Sequence, residues 1–334
     1  MVRHKILIFA LTAALVTDIG LLVVLCPDGL AADFAAYWRA ANSVHPYDFS
    51  ITPFANPPTT LLWLQPLRFL PEWPAYLLLS LVSVLAFAAF GSRLYGLRAT
   101  LLGFLSPPFV LGFVPGQLAI LEASLVFLAF SSPPVVCAVL LAIAGSVKPQ
   151  IVFLAPIALY VANGPKAVFA FLAAAATLVG AATLAFGTGI WADWFFGMQS
   201  LVNEAARRNA LLLAVSPLGF FGSFGTLRLL GVLALAALGG AAFYRFRDRP
   251  APERAAVLVA CSLFAAPYAL SYDMVAMGPF AAAVILRDKT WRGLCAAFSY
   301  CGAFGPISLL AALLALNKRA PLAVDPIERD LREP

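Results

Sequence analysis

Long runs of apolar residues constrain this chain more than any other feature of its sequence. Three of them cover residues 6–25, 166–186 and 227–244. Each approaches the roughly 20 residues that a helix needs to cross a hydrocarbon layer about 30 Å thick. Inside lipid the backbone must satisfy its own hydrogen bonds, so runs of this kind are helical, and the alternation typical of a membrane β-barrel is absent. The sequence therefore predicts an all-α polytopic membrane protein.

The amino-acid composition excludes a soluble fold. Of the 334 residues, 62% are hydrophobic and 11% are charged, against about 25% charged residues in an ordinary soluble domain. So few charges could not cover the surface of a soluble protein of this length. The five cysteines contain no CxxC pair and there are only two histidines, so we expect neither a metal site nor a cofactor.

The basic residues give the chain a net charge of +6, which raises the question of a nucleic-acid partner. They lie in short clusters at the ends of the apolar runs, which is the positive-inside pattern of membrane proteins. The clusters are Arg3 and Lys5; Arg93 and Arg98; Arg245, Arg247 and Arg249; and Arg287, Lys289 and Arg292. We therefore expect a lipid bilayer as the surrounding partner and no nucleic acid.

The same clusters predict how the chain is threaded through the membrane. With residues 1–5 in the cytoplasm, the first helix crosses outward, and residues 26–74 form a first periplasmic loop that carries four acidic and two basic residues. Residues 187–209 form a second periplasmic loop. We expect a bundle of about 10–11 transmembrane helices in a single domain, 1–316, with short interfacial helices on the outer face and a disordered tail, 317–334.

Several apolar runs are too short to cross a bilayer as straight helices. Polar breaks that contain proline separate four of them, which cover residues 100–114, 118–130, 135–147 and 151–161. Runs of this length are typical of helices that stop at a cavity. The stretch 211–224, interrupted by serine, proline and glycine, is predicted to be re-entrant or interfacial. Residues 293–316 are predicted to form the last span.

Asp33 follows the first predicted span within a few residues and begins a short helix. At helical spacing, Asp33, Tyr37 and Trp38 lie near one another at the membrane interface. A carboxylate beside aromatic rings in this position suits a general base that faces a sugar. Aspartate is also favoured as the residue that caps the start of a helix. The spacing alone leaves both roles open.

Three further polar residues lie at breaks between apolar runs on the predicted outer side. Lys148, in SVKPQ, could hold a lipid phosphate or simply extend its side chain to the interface. Gln117 follows Pro-Gly and could bind a substrate or turn the chain. Asp273, in SYD, is the sole charge between two apolar runs, a setting typical of carboxylates that face a functional cavity.

The remaining candidates are charged residues with less specific surroundings. Arg207 and Arg208 are cations on the predicted outer side that could meet a substrate phosphate or lipid headgroups. Glu122 and Asp18 lie inside predicted spans, so each must face protein or water.

The segment DFAAYWRAANSVHPYD, followed by NPPTTLLWLQPLRFLP, resembles the first outer loop of glycosyltransferase family 87, which contains polyprenol-phosphate-mannose-dependent mannosyltransferases of the GT-C superfamily. The resemblance continues, in the family's order, in PGQLAILEASLVFLA, AGSVKPQIVFLAPIALY and APYALSYDMVAMGPFAAAVIL. It covers roughly residues 30–290. The chain departs from the family pattern at His45, where a glycine usually precedes the Pro-Tyr step, and at Asn56, where a tyrosine usually precedes the paired prolines.

The resemblance implies a GT-C-like helical bundle with an outer cavity, and a polyprenyl phosphate sugar as the donor. The family's catalytic aspartate falls on Asp33, its lysine before proline on Lys148, and its late acidic residue after tyrosine on Asp273. Asp33 is therefore predicted as the catalytic base, and Lys148, Arg207 and Arg208 as contacts of the donor phosphate. The predicted substrate-binding residues are Tyr37, Trp38, Tyr47, Asn56, Gln117, Glu122, Tyr272 and Asp273.

Together these features predict an inverting glycosyltransferase of the bacterial inner membrane. It would move a hexose, mannose or a relative, from a polyprenyl phosphate donor to a lipid or glycan hydroxyl in the periplasm. The anionic leaving group requires a cation and the acceptor hydroxyl requires a base. The alternative is a flippase or transporter of lipid-linked sugars, which should carry polar residues through both leaflets. A membrane scaffold without activity is disfavoured by the clustered carboxylates.

Overall fold

The computed structural model of the chain describes residues 2–25, 29–48, 54–207, 214–220, 226–288, 291–302 and 306–316. Within these ranges the secondary structure is helical, apart from turns and one isolated β-bridge between Ala214 and Leu270. The all-α prediction is therefore confirmed. The α-helices are α1 Val2–Leu25, α2 Ala32–Asn42, α3 Pro58–Leu64, α4 Glu72–Tyr95, α5 Leu97–Gly103, α6 Pro107–Phe113, α7 Ala119–Phe130, α8 Pro134–Val147, α9 Ala155–Asn163, α10 Pro165–Phe186, α11 Gly189–Arg207, α12 Thr226–Phe246, α13 Ala251–Ala265, α14 Met277–Arg287, α15 Trp291–Cys301 and α16 Pro306–Ala315. Short 3-10 helices cover Gln65–Phe69, Pro149–Val152, Pro217–Phe220 and Ser271–Ala276.

Three of the described helices are long and apolar enough to cross a membrane. They are α4, α10 and the Leu229–Phe246 part of α12. Only 11% of the apolar window of α10 and 28% of that of α4 is buried inside the protein, and large exposed apolar surfaces of this kind suit lipid rather than water. The membrane location is thus confirmed, whereas the number of 10–11 spans stays a prediction.

The centre of the bundle is formed by α13 and α14. Most side chains of α13 from Ala255 to Ala265 are buried, and so are all those of α14 from Met277 to Ile285. A helix that is apolar and buried on all sides belongs in the interior, and its many alanines allow neighbouring helices to approach closely. The 3-10 helix Ser271–Ala276, which joins α13 to α14, is therefore held firmly at one end of the core.

The bundle has two ends, one of which holds the basic loops that follow α4 and α12. At this end, the hydroxyl of Tyr95, the last residue of α4, donates a hydrogen bond of 3.3 Å to Pro252 O at the start of α13. At the same end, the Arg254 guanidinium carbon lies 6.0 Å from the centre of the Phe130 ring, where α7 ends. The segments that precede α7 and that follow α8 and α13 meet at the opposite end, away from the basic loops.

The predicted span over residues 100–114 is interrupted in the structure. It consists of two short helices, α5 and α6, which are separated at Ser106. Pro107 and Pro108 cause the break, because a proline disfavours helical backbone in the residue before it and cannot donate to the preceding turn.

The prediction of a single last span over residues 293–316 was wrong. This stretch contains α15 and α16, which pack against each other. The Nε of Arg292, at the start of α15, donates a hydrogen bond of 2.9 Å to Ala315 O, at the end of α16. The two ends of the stretch therefore lie on the same side of the bundle. Gly302 follows α15 with a φ of +63°, which favours glycine, and Pro306 starts the next helix.

The segment predicted as the second periplasmic loop, residues 187–209, is largely the helix α11. It lies over the first loop, because the indole N–H of Trp194 donates a hydrogen bond of 3.0 Å to Ala55 O. Half of the predicted re-entrant stretch 211–224 lies outside the described residues, and the predicted tail 317–334 falls entirely outside them. The proposed domain limits stay predictions.

Candidate active site

The start of α2, which carries Asp33, is capped by the backbone carbonyls of Val114 and Pro115. The N–H groups of Asp33 and Phe34 both donate to Pro115 O, at 3.0 Å each. No side chain caps this helix. The capping role that the sequence left open for Asp33 is therefore filled by the backbone, and its carboxylate is available for other contacts.

The Pro-Gly-Gln turn lies directly against α2. Gly116 has a φ of +79°, and a Cβ built on it would come within 2.7 Å of the Phe34 Cβ. Only glycine meets both conditions. The N–H of Gln117 donates to Gly112 O at 2.7 Å, which fixes the turn and places the Gln117 side chain beside Asp33.

Lys148 leaves the end of α8 in an extended conformation, with φ −145° and ψ 106°. Its position depends on the last carbonyls of α8, which have no partners inside their own helix. Three side chains at and just before the start of α3 donate to them: Thr59 Oγ1 to Ser146 O at 2.5 Å, Thr60 Oγ1 to Val147 O at 3.0 Å and Asn56 Nδ2 to Val147 O at 3.1 Å. We call Asn56, Thr59 and Thr60 the α3 clamp, because they hold the residues that precede Lys148.

Asp273 lies in the 3-10 helix Ser271–Ala276 and forms a buried ion pair with Lys148. Its Oδ2 accepts a hydrogen bond of 2.9 Å from the N–H of Leu270, and its Oδ1 lies 3.1 Å from Lys148 Nζ. The Lys148 and Asp273 side chains are only 6% and 1% exposed. Removing one member of such a pair leaves an uncompensated buried charge, so the two residues depend on each other.

Gln117 joins this ion pair to Asp33. Its Oε1 accepts hydrogen bonds from Lys148 Nζ at 2.9 Å and from the Tyr37 hydroxyl at 2.7 Å. Its Nε2 donates to Asp33 Oδ2 at 2.5 Å. The structure thus brings together five of the predicted site residues, which the sequence separates by up to 240 positions between Asp33 and Asp273.

Tyr272 completes the surroundings of Lys148. The Lys148 Nζ lies 4.2 Å from the centre of the Tyr272 ring, a geometry that attracts a cation to an aromatic face. An ammonium group has three N–H donors; Gln117 and Asp273 accept two, and the ring lies close to the same nitrogen. In this arrangement the charge of Lys148 is offset by Asp273.

Asp33 has the properties of a base. The residue is half-buried, and burial raises its pKa. The hydrogen bond from Gln117 and the positive charge of Lys148 lower the pKa. Burial is the largest of these effects, so the pKa of Asp33 lies above the usual value. Within the described part of the chain its Oδ1 has no hydrogen bond. A carboxylate of raised pKa with one free oxygen is suited to take a proton.

Tyr37 acts as a fixed donor in the same cluster. Burial, together with the negative charge of Asp33, raises the pKa of Tyr37 well above its usual value. The phenol therefore stays neutral at all physiological pH values and keeps its hydrogen bond to Gln117.

Glu122 lies on the first turns of α7, fully buried. Neither carboxyl oxygen has a hydrogen-bond partner among the described residues, and the group interacts electrostatically with Lys148 and Asp273. A buried carboxyl group without a hydrogen bond is unfavourable, so its place beside the cluster is of functional interest.

Three other predicted substrate-binding residues bond to backbone carbonyl groups, two of them within the first loop and Asn56 at the end of α8. The Trp38 indole donates to Leu70 O at 3.1 Å, and the Tyr47 hydroxyl donates to Asn56 O at 2.8 Å. Asn56 itself belongs to the α3 clamp. These contacts give all three residues a supporting position around the cluster.

The predicted arginines are not placed by the structure. Arg207 is the last residue of α11, but its side chain is outside what the structure describes, and Arg208 lies outside the described residues. Asp18 lies on α1, which packs against α15 rather than forming part of the cluster around Gln117.

The α3 clamp was only partly anticipated from the sequence. Thr59 and Thr60 were not singled out, although they follow the paired prolines in NPPTT, where a helix would begin. Two adjacent hydroxyls in an otherwise apolar stretch are the signal that could have revealed them, because buried hydroxyls require acceptors.

Comparison with known proteins identifies the family of the chain. A family model described as Glycosyltransferase family 87 matches residues 54–271, more than half of the chain. Gln117 and Lys148 lie inside the match, whereas Asp33 precedes it and Asp273 follows its end by two residues. No curated protein and no solved structure matches the chain significantly.

Proposed function

Because the chain belongs to glycosyltransferase family 87, we propose that it transfers a hexose, mannose or a close relative, from a polyprenyl phosphate donor to a hydroxyl of a lipid or glycan acceptor. Family membership makes the protein a glycosyltransferase, and its long apolar helices make it a membrane protein. The donor, the acceptor and the side of the membrane are the proposed parts. We propose further that the cluster around Gln117 is the active site and faces the periplasm of the bacterial inner membrane.

One observation carries the proposal: four segments far apart in the sequence meet in a single hydrogen-bonded cluster. Asp33, Gln117, Lys148 and Asp273 form a continuous chain of contacts between 2.5 and 3.1 Å. Polar and ionisable groups are costly inside an apolar bundle and are typically retained there for function. A purely structural role would not require a half-buried carboxylate with one free oxygen.

In this proposal Asp33 is the general base. The acceptor hydroxyl gives its proton to Asp33 Oδ1 as its oxygen attacks the anomeric carbon of the donor sugar. The bond from that carbon to the phosphate oxygen breaks with its electron pair, and the polyprenyl phosphate leaves. A single displacement of this kind inverts the configuration at the sugar carbon.

The leaving phosphate requires stabilisation of its negative charge. Lys148 is the cation in the cluster, but Asp273 already offsets its charge at 3.1 Å. A phosphate oxygen must therefore replace one partner of Lys148 or bind with help from further cations. We propose Arg207 and Arg208, on the adjoining outer segment, as those additional cations.

The proposed substrate contacts are the remaining groups that face the cluster. Tyr272 offers an aromatic face on which a sugar ring can pack, and Glu122 offers a buried carboxyl group that has no hydrogen bond among the described residues. Trp38, Tyr47 and Asn56 line the first loop around them. We place them at the edge of the site because their polar atoms are bonded to backbone.

A transfer assay tests this function. The purified protein in liposomes receives a radiolabelled polyprenyl phosphate mannose and an extract of membrane lipids and glycans. We expect label in a new product that resists mild acid, which cleaves the sugar phosphate of the donor. A nucleotide sugar offered in place of the lipid donor should give none.

The alternative function predicts a different result in the same liposomes. A flippase would move the labelled donor between leaflets without forming a new glycosidic bond. Movement without a covalent product would overturn the proposal.

A further inference from the structure

The side-chain amide of Gln117 is occupied at both ends by protein groups. Its oxygen accepts from Tyr37 and Lys148, and its nitrogen donates to Asp33. The residue is only 7% exposed. These bonds use both acceptor positions of the oxygen and one of the two N–H donors of the nitrogen, so this buried side chain has little capacity left to recognise a sugar directly.

The orientation of this amide follows from the chemistry of its neighbours. Lysine can only donate hydrogen bonds, so the oxygen of Gln117 must face Lys148 Nζ. The nitrogen then faces Asp33, where a carboxylate oxygen accepts from it. The reverse orientation would place two donors opposite each other and bring the amide oxygen against the carboxylate.

The backbone of the Pro-Gly-Gln turn is bound to α2 as well. Pro115 O accepts the N–H groups of Asp33 and Phe34 at the start of α2, and Gly116 allows the close approach to Phe34. The turn is therefore fixed to α2 by its main chain, and its side chain extends that link to the end of α8. One planar amide group therefore connects Lys148 Nζ to Asp33 Oδ2.

The hydrogen bond from Gln117 also affects the charge of Asp33. Burial raises the pKa of Asp33, and the strongest opposing influence is the hydrogen bond from Gln117, followed by the charge of Lys148. Without the amide N–H, burial would act with less opposition, and the pKa of Asp33 would rise further. A base that is protonated cannot accept the proton of the acceptor hydroxyl.

We propose that Gln117 is a positioning residue that links Asp33 to Lys148, holding the carboxylate in place and in its ionised form, rather than a contact of the sugar. This role rests on the proposed function, in which Asp33 is the general base. The sequence alone left open whether Gln117 turns the chain or binds substrate. The proposal gives it a third role, which is to position Asp33.

The first test measures the titration of Asp33 without any substrate. Infrared spectra of wild type and of Gln117→Met are recorded across pH, and the Asp33 carboxyl band is identified by its loss in Asp33→Asn. Methionine matches glutamine in length but offers no N–H donor. We expect Asp33 to become protonated at a higher pH in Gln117→Met than in wild type.

The second test uses the transfer reaction. Gln117→Met should lower kcat about tenfold or more, since a hydrogen bond to a charged group is lost, and the acidic limb of the pH profile should move to higher pH. The KM for the polyprenyl phosphate donor should change little. Tyr37→Phe is compared by its pH profile alone, whatever its kcat. It removes a donor to the amide oxygen but leaves the bond from the amide nitrogen to Asp33, so its acidic limb should stay at the wild-type pH.

Two results would overturn the proposal. One is an Asp33 that titrates at the same pH in Gln117→Met and in wild type. The other is a raised donor KM with the acidic limb unmoved, which would make Gln117 a substrate contact. Gln117→Asn, whose amide is too short to bridge the two residues, serves if Gln117→Met does not fold. A wild type that transfers no sugar would defeat the proposed function alone, since the infrared test needs no transfer.

Discussion

For single residues, the contacts in the structure decide between the roles that the sequence left open. Asp33 could have been a helix cap or a base, and the cap is instead supplied by Pro115 O. Lys148 could have extended to the lipid interface, but it is buried against Asp273 and Tyr272. Neither outcome could be predicted from local sequence, because each depends on a partner more than 80 positions away.

The buried Lys148–Asp273 pair predicts a pattern of stability changes. Lys148→Met leaves Asp273 unpaired, and Asp273→Asn leaves Lys148 unpaired, so each should cost roughly 3–5 kcal/mol of unfolding free energy. The double variant Lys148→Met/Asp273→Asn leaves no uncompensated charge and should recover most of that loss. Thermal unfolding of the three variants in detergent measures the effect.

Activity supplies the control for this pair. The double variant should remain inactive despite its recovered stability, because it lacks the cation proposed to contact the donor phosphate. If the two single losses simply added in the double variant, the residues would be acting independently and the ion pair would carry no coupling.

At the level of elements, helices with clear end signals were predicted closely. The run 135–147 became α8 between two prolines, and 118–130 became α7 after the Pro-Gly-Gln turn. The predicted last span failed because apolar length alone does not distinguish one long helix from two short ones that pack together. The contact between Arg292 and Ala315 that closes this hairpin depends on tertiary packing.

We expect the α3 clamp, which joins α3 to the end of α8, to determine the position of Lys148. Thr60→Val preserves the shape of the side chain but removes the hydroxyl that donates to Val147 O. We expect a loss of about 1 kcal/mol of unfolding free energy and a donor KM raised several-fold, because the segment before Lys148 is less firmly held. Thermal unfolding and transfer kinetics measure the two effects.

Thr60→Ser is the matched control for this experiment, since serine keeps the hydroxyl. It should stay close to wild type in donor KM. A Thr60→Val variant that loses stability with an unchanged donor KM would show that the clamp supports the fold without positioning Lys148.

For the whole molecule, the structure separates the candidate site from the basic loops. Near the start of α4, the Tyr76 hydroxyl bonds to backbone of the turn before Gln117. At the end of α4, the Tyr95 hydroxyl bonds to the start of α13. The 24 residues of α4 span about 36 Å at 1.5 Å per residue, enough to cross a bilayer. If the basic loops are cytoplasmic, the site faces the periplasm.

Cysteine labelling tests this orientation. In a variant that lacks the native cysteines, Val44→Cys marks the end of the bundle that holds the candidate site, and Asp248→Cys marks the end that holds the basic loops. Both positions are accessible, since Val44 is 90% exposed and the Asp248 side chain is 88% exposed. A thiol reagent that cannot cross membranes should label Val44→Cys in intact spheroplasts, and Asp248→Cys only after permeabilisation. The opposite pattern would invert the topology.

The sequence predicted which residues meet in the candidate site better than it predicted how they connect. Asp33, Lys148 and Asp273 were singled out because charges are rare in an apolar chain and because the motifs resemble a known family, and the structure brings them into one cluster. The bridge through Gln117 could not be found this way, since an amide carries no charge and its partners lie in other segments. Packing of the whole bundle determines that connection.

The central claim is that Asp33 takes the proton of the acceptor hydroxyl, and Asp33→Asn tests it most directly. Asparagine keeps the size of the side chain and can still accept the hydrogen bond from Gln117, but it cannot act as a base. Single-turnover transfer from a polyprenyl phosphate sugar should fall by about 10²–10⁴-fold, with donor binding and thermal stability close to wild type. Transfer within a few-fold of wild type would contradict the account and leave Asp273 as the next carboxylate to test.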